Sequence, residues 1–208
     1  MAGRKKDNLI YGVGYTKGVA PITYNGKKTK EYETWRGILK RCYDNEYLLR
    51  EPTYNDCVVA DEWLCYENFY NWIISQENYE KWKIGGREWA LDKDVIYKGN
   101  KLYSKETCFL VPRSINGLFT NRKLHRGKYP IGVDYLKRLN KFRASCMNPF
   151  IKKQEHIGTY SSSTEAFKAY KEYKENIIKL VAQQEFKNGS ITEKCMLSML
   201  NYRIEIDD

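Results

Sequence analysis

The period of the apolar residues changes at Ser163, and that change limits the folds open to this chain more than any other feature. Upstream, residues 131–135, 141–146 and 156–160 read as three short strands. Leu139-Asn140 lies in the first turn between them and Asn148-Pro149 in the second. Downstream, Ser163-Thr164-Glu165 opens a long helix, and Asn188-Gly189 ends it. Ala166, Phe167, Tyr170, Tyr173, Ile177, Leu180 and Val181 give that helix one apolar face. Alternate strand residues share a face, so Phe142 and Ala144 pack on the helix while Lys141, Arg143 and Ser145 face outward. The outcome is a sheet with a buried inner face and a basic outer one.

The first half of the chain follows another pattern. Trp35, Ile38, Leu39 and Cys42 recur at helical spacing over residues 31–44, with Arg36, Lys40 and Arg41 on the other face. Residues 45–59 read as a loop with Pro52 and an Asn55-Asp56 turn. Asp61 is placed to cap a second helix carrying Trp63, Tyr66, Phe69, Tyr70 and Ile73. Gly85-Gly86 then breaks the chain. Residues 1–30 carry five Gly and no helical pattern, which predicts a mobile basic arm or a loose strand pair. Residues 191–202 read as a last short helix before an acidic tail.

Charge points to a polyanion. Residues 1–30 hold seven basic side chains against one acidic, and residues 122–155 hold ten against two. The net charge is +10, so the remainder of the chain is mildly acidic. Two basic blocks on such a body suggest nucleic acid bound at defined surfaces. A solvated basic face is the plainer alternative, and a membrane surface is disfavoured because no basic amphipathic helix is evident. No apolar run approaches the ~20 residues that span a bilayer. Residues 1–8 have no apolar core behind them, so no secretory signal is read and a cytoplasmic location is expected. The six Cys form no C-x-x-C pair, which predicts mostly buried reduced thiols. A zinc site using Cys57, Cys65 or Cys108 is the minor alternative.

Residues 91–119 carry the chemistry. A strand ends at Asp92, a Gly99-Asn100 loop follows, a second apolar strand covers Phe109 to Val111, and a helix starts at Pro112 and carries Asn116. Cutting a phosphodiester takes an activated water, a cation on the charged transition state, and groups that orient both. A strand pair on a helix supplies these compactly. A His on the first strand serves as base, and a carboxylate with a helix-borne Asn or His holds a hard cation. This chain has Lys93 where the base belongs. A protonated amine accepts no proton unless burial lowers its pKa by several units.

Asp92-Lys93, Gly99-Asn100-Lys101, Phe109-Leu110-Val111-Pro112 and Asn116 together resemble the HNH (His-Me finger) endonuclease motif of phage homing endonucleases. The block from Trp35 to Tyr43, then Asp61-Glu62-Trp63 with Phe69 and Trp72, is similar to the lead-in of phage proteins of this group. The resemblance implies an HNH-like ββα domain over residues 31–121, with Asp92 and Asn116 as catalytic and metal-ligating residues. Lys93 stands at the position of the general base, and Thr107 at that of the loop Asn that orients it. Asp94, two residues from Asp92 and on the same strand face, is a further metal ligand. Mg²⁺ or Mn²⁺ is the implied cofactor if the site cuts. His125 and His156 are the two histidines of the chain, and His125 lies beyond the expected helix.

Gly132-Val133, then Lys141 to Ala144, Ile157 to Tyr160 and Thr164 to Tyr170 resemble the ethylene-response-factor (APETALA-type) DNA-binding domain, which also follows HNH motifs in phage proteins. That family packs a three-stranded antiparallel sheet on one helix and lays the sheet in the major groove. The resemblance implies such a domain over residues 122–183, with a C-terminal helix and acidic tail over 184–208. Arg143 is the best candidate for reading a base, because Arg bonds guanine O6 and N7 bidentately. Lys137, Arg138, Lys141, Lys152, Lys153, Arg122, Lys123 and Arg126 are candidates for phosphate contacts. The loop at Met147-Asn148-Pro149-Phe150 departs from the family and suits a protein partner.

The expected fold is therefore α+β, an HNH-like ββα domain with flanking helices followed by a three-stranded antiparallel sheet on one helix. Three functions are consistent with it. The chain is a phage-type double-stranded-DNA-binding protein whose catalytic His is replaced by Lys93. Alternatively it is an active metal-dependent nickase, or a phage protein that binds and inhibits a host defence protein.

Overall fold

Helix α1, Lys30–Tyr43, forms where the apolar spacing predicts it. The Thr29 hydroxyl accepts the Tyr32 N–H at 3.3 Å and caps its start. Glu31 and Glu33 in the first turn, and Lys40 and Arg41 in the last, suit the helix dipole. Trp35, Ile38, Leu39 and Cys42 are buried along one stripe. The computed structural model describes residues 9–95, 98–119 and 127–208. The chain mixes α and β structure. It forms two compact units, Met1–Val111 and Pro112–Asp208.

In the first unit, the helix expected from Asp61 is split. Asp61–Leu64 is a 3-10 turn, Cys65 is extended, and α3 covers Tyr66–Ile74. The break has a backbone cause. The Tyr15 N–H donates to the Leu64 carbonyl at 2.9 Å, and the Tyr66 N–H donates to the Tyr15 carbonyl at 2.9 Å. The chain near Tyr15 therefore occupies groups that a continuous helix would use. The same contact ties down part of the segment expected as a basic arm or a loose strand pair. Residues 9–20 dock on the core, and the Glu67 carboxylate accepts Thr16 Oγ1 at 2.8 Å, Lys17 N–H at 2.8 Å and Val19 N–H at 3.2 Å. Residues 1–8, with Arg4, Lys5 and Lys6, lie outside the described residues. Strands β1 (Thr23–Tyr24) and β2 (Lys27–Lys28) pair across Asn25-Gly26, both at positive φ (48° and 74°), as a two-residue hairpin requires.

The core here is aromatic. Trp35, Trp63, Tyr66, Phe69 and Trp82 are almost fully buried. Trp35 Nε1 donates to the Trp63 carbonyl at 2.7 Å, which satisfies the indole in that core. Residues 45–59, expected as a loop, contain α2 (Asn45–Arg50), capped by Asp44 accepting the Tyr47 N–H at 2.7 Å, and β3 (Val58–Val59). Helix α4 covers Tyr79–Ile84 and buries Tyr79 and Trp82. Strands β4 (Trp89–Asp92) and β6 (Phe109–Pro112) pair with each other. Between them β5 (Leu102–Tyr103) leaves to pair in parallel with β3.

In the second unit, α5 (Arg113–Phe119) precedes a three-stranded antiparallel sheet. The strands are β7 (Val133–Leu136), β8 (Lys141–Asn148) and β9 (Lys153–Tyr160), in that order. A register shift between Ala144 and Ser145 leaves Ile157 as the extra residue on β9. Helix α6, Ser163–Lys187, starts with a capping box between Ser162 and Glu165. It buries Ala166, Phe167, Tyr170, Ile177, Ile178, Val181 and Ala182. On the sheet side Ala144 and Cys146 are buried. Gly132 has φ +75°, and a Cβ there would lie 2.0 Å from the Tyr170 ring, so this position takes no side chain. Helix α7, Glu193–Leu200, packs on α6.

By its contacts the chain divides between Val111 and Pro112, ahead of the boundary expected at 121/122. Helix α5 falls with the sheet, where Phe119 and Tyr202 meet edge to face at 4.7 Å between ring centres. The tail beyond residue 183 belongs to the same unit. Among the described residues, no helix is long and apolar enough to cross a membrane. All six cysteines are free and buried.

Candidate functional site

The Asp92 corner is built by the end of β4. Asp92 is 5% exposed and Lys93 7%. Asp92 Oδ1 accepts the N–H groups of Asp94 (2.8 Å) and Val95 (3.1 Å), so its carboxylate turns the chain as it leaves the strand. Burial pushes the Asp92 carboxyl above its usual range, and those two N–H groups only partly offset it. Lys93 Nζ donates to Asp94 Oδ1 at 2.7 Å and to the Asn100 carbonyl. Both partners are acceptors, so Nζ acts here as a hydrogen-bond donor. Asn100 closes the loop from the other side. Its Nδ2 donates to the carbonyls of Lys93 (2.9 Å) and Leu102 (2.7 Å), and its Oδ1 accepts the Leu102 N–H at 3.0 Å.

Thr107, at the position of an orienting Asn, does a different job. Its hydroxyl donates to the Leu102 carbonyl at 2.7 Å and accepts the Ser104 N–H at 3.2 Å, which ties β5 to the loop before β6. Asn116 lies on α5, in the second unit. The structure thus brings Asp92, Lys93 and Asp94 together and places Asn116 in the other unit.

A hard divalent cation needs several oxygen ligands clear of competing donors. Asp92 Oδ1 is committed to two N–H groups, and Asp94 Oδ1 to Lys93. Among the described residues, no group of three or more His, Cys, Asp or Glu is placed to hold a metal ion. The residues around Asp92 and Asp94 do not fit Mg²⁺ or Mn²⁺ as arranged. The zinc alternative through Cys57, Cys65 or Cys108 finds no such group either.

The outer face of the β7–β9 sheet differs in every respect. Asp134 and Arg143 are cross-strand partners. Asp134 Oδ1 accepts Arg143 Nε–H at 3.1 Å, and Oδ2 accepts from Nη2 at 2.9 Å. This bidentate pair holds the guanidinium by its side edge and leaves the Nη1/Nη2 end edge unused by Asp134. Lys137, Arg138, Lys141, Lys152 and Lys153 are all exposed around this face and its two turns. Arg122, Lys123, Arg126 and His125 lie outside the described residues. His156 lies on β9, within 3.5 Å of the Thr159 hydroxyl. On the inner face Asn148 Nδ2 donates to Glu155 Oε2 at 2.7 Å, and the Tyr173 hydroxyl of α6 donates to the same oxygen.

Sequence reasoning missed Asp134, because its place opposite Arg143 follows from the register of β7 on β8 and not from alternation within a strand. It also missed the exposed apolar tip at its full size: Met147, Phe150 and Ile151 are each about half exposed, at 52%, 51% and 51%. Compared with known proteins, the chain matches no family model, no curated protein and no solved structure.

Proposed function

We propose that this chain is a double-stranded-DNA-binding protein of phage type. It is built on an HNH-like ββα scaffold and reads DNA through an ethylene-response-factor-like sheet. The observation that carries this reading is the outer face of β7–β9. Arg143 is held by Asp134 with one N–H edge left to face outward, and exposed Lys and Arg side chains surround it. A twisted sheet of this width fits the major groove, where Arg meets guanine and Lys meets phosphate.

Binding is proposed rather than cutting. The HNH-like reading supplies Asp92 and Asn116, but Lys93 stands in place of the base and donates to Asp94. Neither a base nor a cation site follows from that arrangement.

The test is titration of duplex DNA into the full chain at rising salt, with a plasmid-nicking assay in Mg²⁺ or Mn²⁺ alongside. Affinity should fall steeply with salt, in proportion to the phosphates neutralised. Salt-insensitive or absent DNA binding refutes the reading. Nicking by the wild type that Asp92→Ala abolishes would restore the enzyme.

One observation favours a second reading. The exposed Met147, Phe150 and Ile151 at the β8–β9 tip suit a protein partner, such as a host protein inhibited by this chain. Binding of that kind persists at high salt.

A further inference from the structure

Arg41, in the last turn of α1, is partly buried. A guanidinium carries five N–H donors and stays charged at any physiological pH. Its side-chain hydrogen-bond partner is a phenol. Arg41 Nη1 donates to the Tyr103 hydroxyl at 3.0 Å, and the guanidinium lies 5.7 Å from the centre of the same ring. Tyr103 is 2% exposed, and burial raises its phenol well above the ordinary value, so it supplies no negative charge. Among the described residues, no carboxylate oxygen lies within 4.0 Å of Arg41.

The surroundings add cations and neutral hydroxyls. Lys93 Nζ lies 5.7 Å from the centre of the Tyr103 ring, but it is paired with Asp94. Lys101, exposed at the start of β5, donates to the Thr53 carbonyl at 3.0 Å. That bond holds Lys101 against the residue before Tyr54, whose phenol is raised by burial and lowered in part by the Arg41 charge. Tyr47 packs against Tyr54 at 5.8 Å between ring centres, and Lys40 lies 5.8 Å over Tyr47. Two carboxylates reach this neighbourhood. Asp94 is taken by Lys93, and Asp56 is exposed and makes no ion pair among the described residues. A cation is thus kept out of full solvation with no carboxylate partner among the described residues, a costly arrangement in a purely structural position. Such an arrangement is expected where an anion comes and goes.

We propose that Arg41, with Lys101 and the Tyr54 hydroxyl, forms an anion site on the first unit that takes a phosphate oxyanion. The planar fork of Arg supplies parallel N–H groups, and a Lys and a hydroxyl would add further donors, which suits a tetrahedral group. The phosphate is either a backbone phosphodiester of DNA or free phosphate. The site lies in the first unit and does not depend on the sheet reading DNA.

The experiment uses the full chain as wild type, Arg41→Gln and Arg41→Lys. Gln keeps a donor for Tyr103 and removes the charge. Thermal unfolding is compared in inorganic phosphate and in chloride at equal ionic strength, since a ligand that binds the folded state raises its midpoint. The wild type should gain a few degrees in phosphate, Arg41→Lys part of that, and Arg41→Gln none. An equal gain in Arg41→Gln, or no gain in the wild type, overturns the site. If Arg41→Gln does not fold, the exposed Lys101→Gln replaces it and should roughly halve the shift; an unchanged shift overturns the site.

A duplex titration in a Lys141→Ala/Arg143→Ala background identifies the source. Residual affinity that drops about tenfold on adding Arg41→Gln assigns the site to the DNA backbone. Unchanged residual affinity, with the phosphate shift still lost, assigns it to free phosphate. Failure of the sheet variants to weaken duplex binding would refute the sheet as reader and leave this site standing.

Discussion

Two acid–base pairs in this molecule, one in each unit, have similar chemistry and opposite fates. Asp94 and Lys93 meet at 2.7 Å at the end of β4, and Asp134 and Arg143 meet at 2.9 Å across β7 and β8. The Lys93 side chain is 9% exposed, whereas that of Arg143 is 45% exposed. Lys93 has its amine consumed by Asp94 and the Asn100 carbonyl, so the pair braces a loop. Arg143 is gripped on one edge only, so the pair aims a donor at solvent. Burial and the direction of the unused donors decide whether a charged pair is scaffolding or an interface; proximity alone does not.

The harshest way to break this comparison is to remove one half of it. Gly132→Ala adds a methyl at positive φ against the Tyr170 ring. It should cost the second unit about 2–4 kcal/mol. Urea unfolding should then separate into two transitions, with the second unit lost first. DNA binding should be lost along with the sheet.

Asp92→Ala attacks the other half. It leaves the N–H groups of Asp94 and Val95 without their acceptor. A loss of about 1–3 kcal/mol is expected in the first unit. Duplex affinity should stay within error, and a parallel loss of DNA binding would mean that the Asp92 corner touches DNA.

Lys141→Ala with Arg143→Ala should weaken specific duplex binding by about 1–3 kcal/mol, about fivefold or more, and flatten the salt dependence. Unchanged affinity would show that this face is only a solvated surface.

Asp134→Ala sharpens the comparison further. The pair is exposed, so stability should change by less than about 1 kcal/mol. The effect belongs to selectivity, because Arg143 loses the brace on its Nε edge. Discrimination between guanine and other bases at one site position should narrow while non-specific affinity rises slightly. A shift library of duplexes reads both.

The smallest effect is a pH dependence of the first unit. Burial pushes the Glu67 carboxyl up, but the Lys17 N–H and the Thr16 hydroxyl outweigh that and hold it at about 2. Its folded value lies below the unfolded one, so its stabilisation is present above about 4.5 and is lost as the pH falls toward 2. The unfolding midpoint should drop across that window, and Glu67→Gln should remove this part of the drop.

The legible part of the fold follows from local pattern. Trp35, Ile38, Leu39 and Cys42 lie at the spacing of one helical face, and they are buried on α1. The three strands and α6 appear at residues 133–160 and 163–187, because alternation and a capping box are local signals. The Asp92 strand, the Gly99-Asn100 loop and the Phe109 strand were equally readable. What failed were boundaries set by distant contacts. The docking of residues 9–20 depends on Glu67, about fifty positions away. The split of the helix at Cys65 depends on the backbone of Tyr15. The parallel pairing of β3 with β5 joins two-residue strands too short to carry a periodic signal.

The amino-acid order by itself therefore determined which segments are helical or extended, which faces are apolar, and where positive charge gathers. These depend on neighbours within a few residues, through side-chain period, capping and turn geometry. Only the tertiary structure decided what each charge does. It turned Lys93 inward onto Asp94, held Arg143 outward by Asp134, and left Arg41 beside a neutral phenol. The reason is physical. The environment of a charged group is set by the groups that fold around it, and those come from parts of the chain that no local pattern connects.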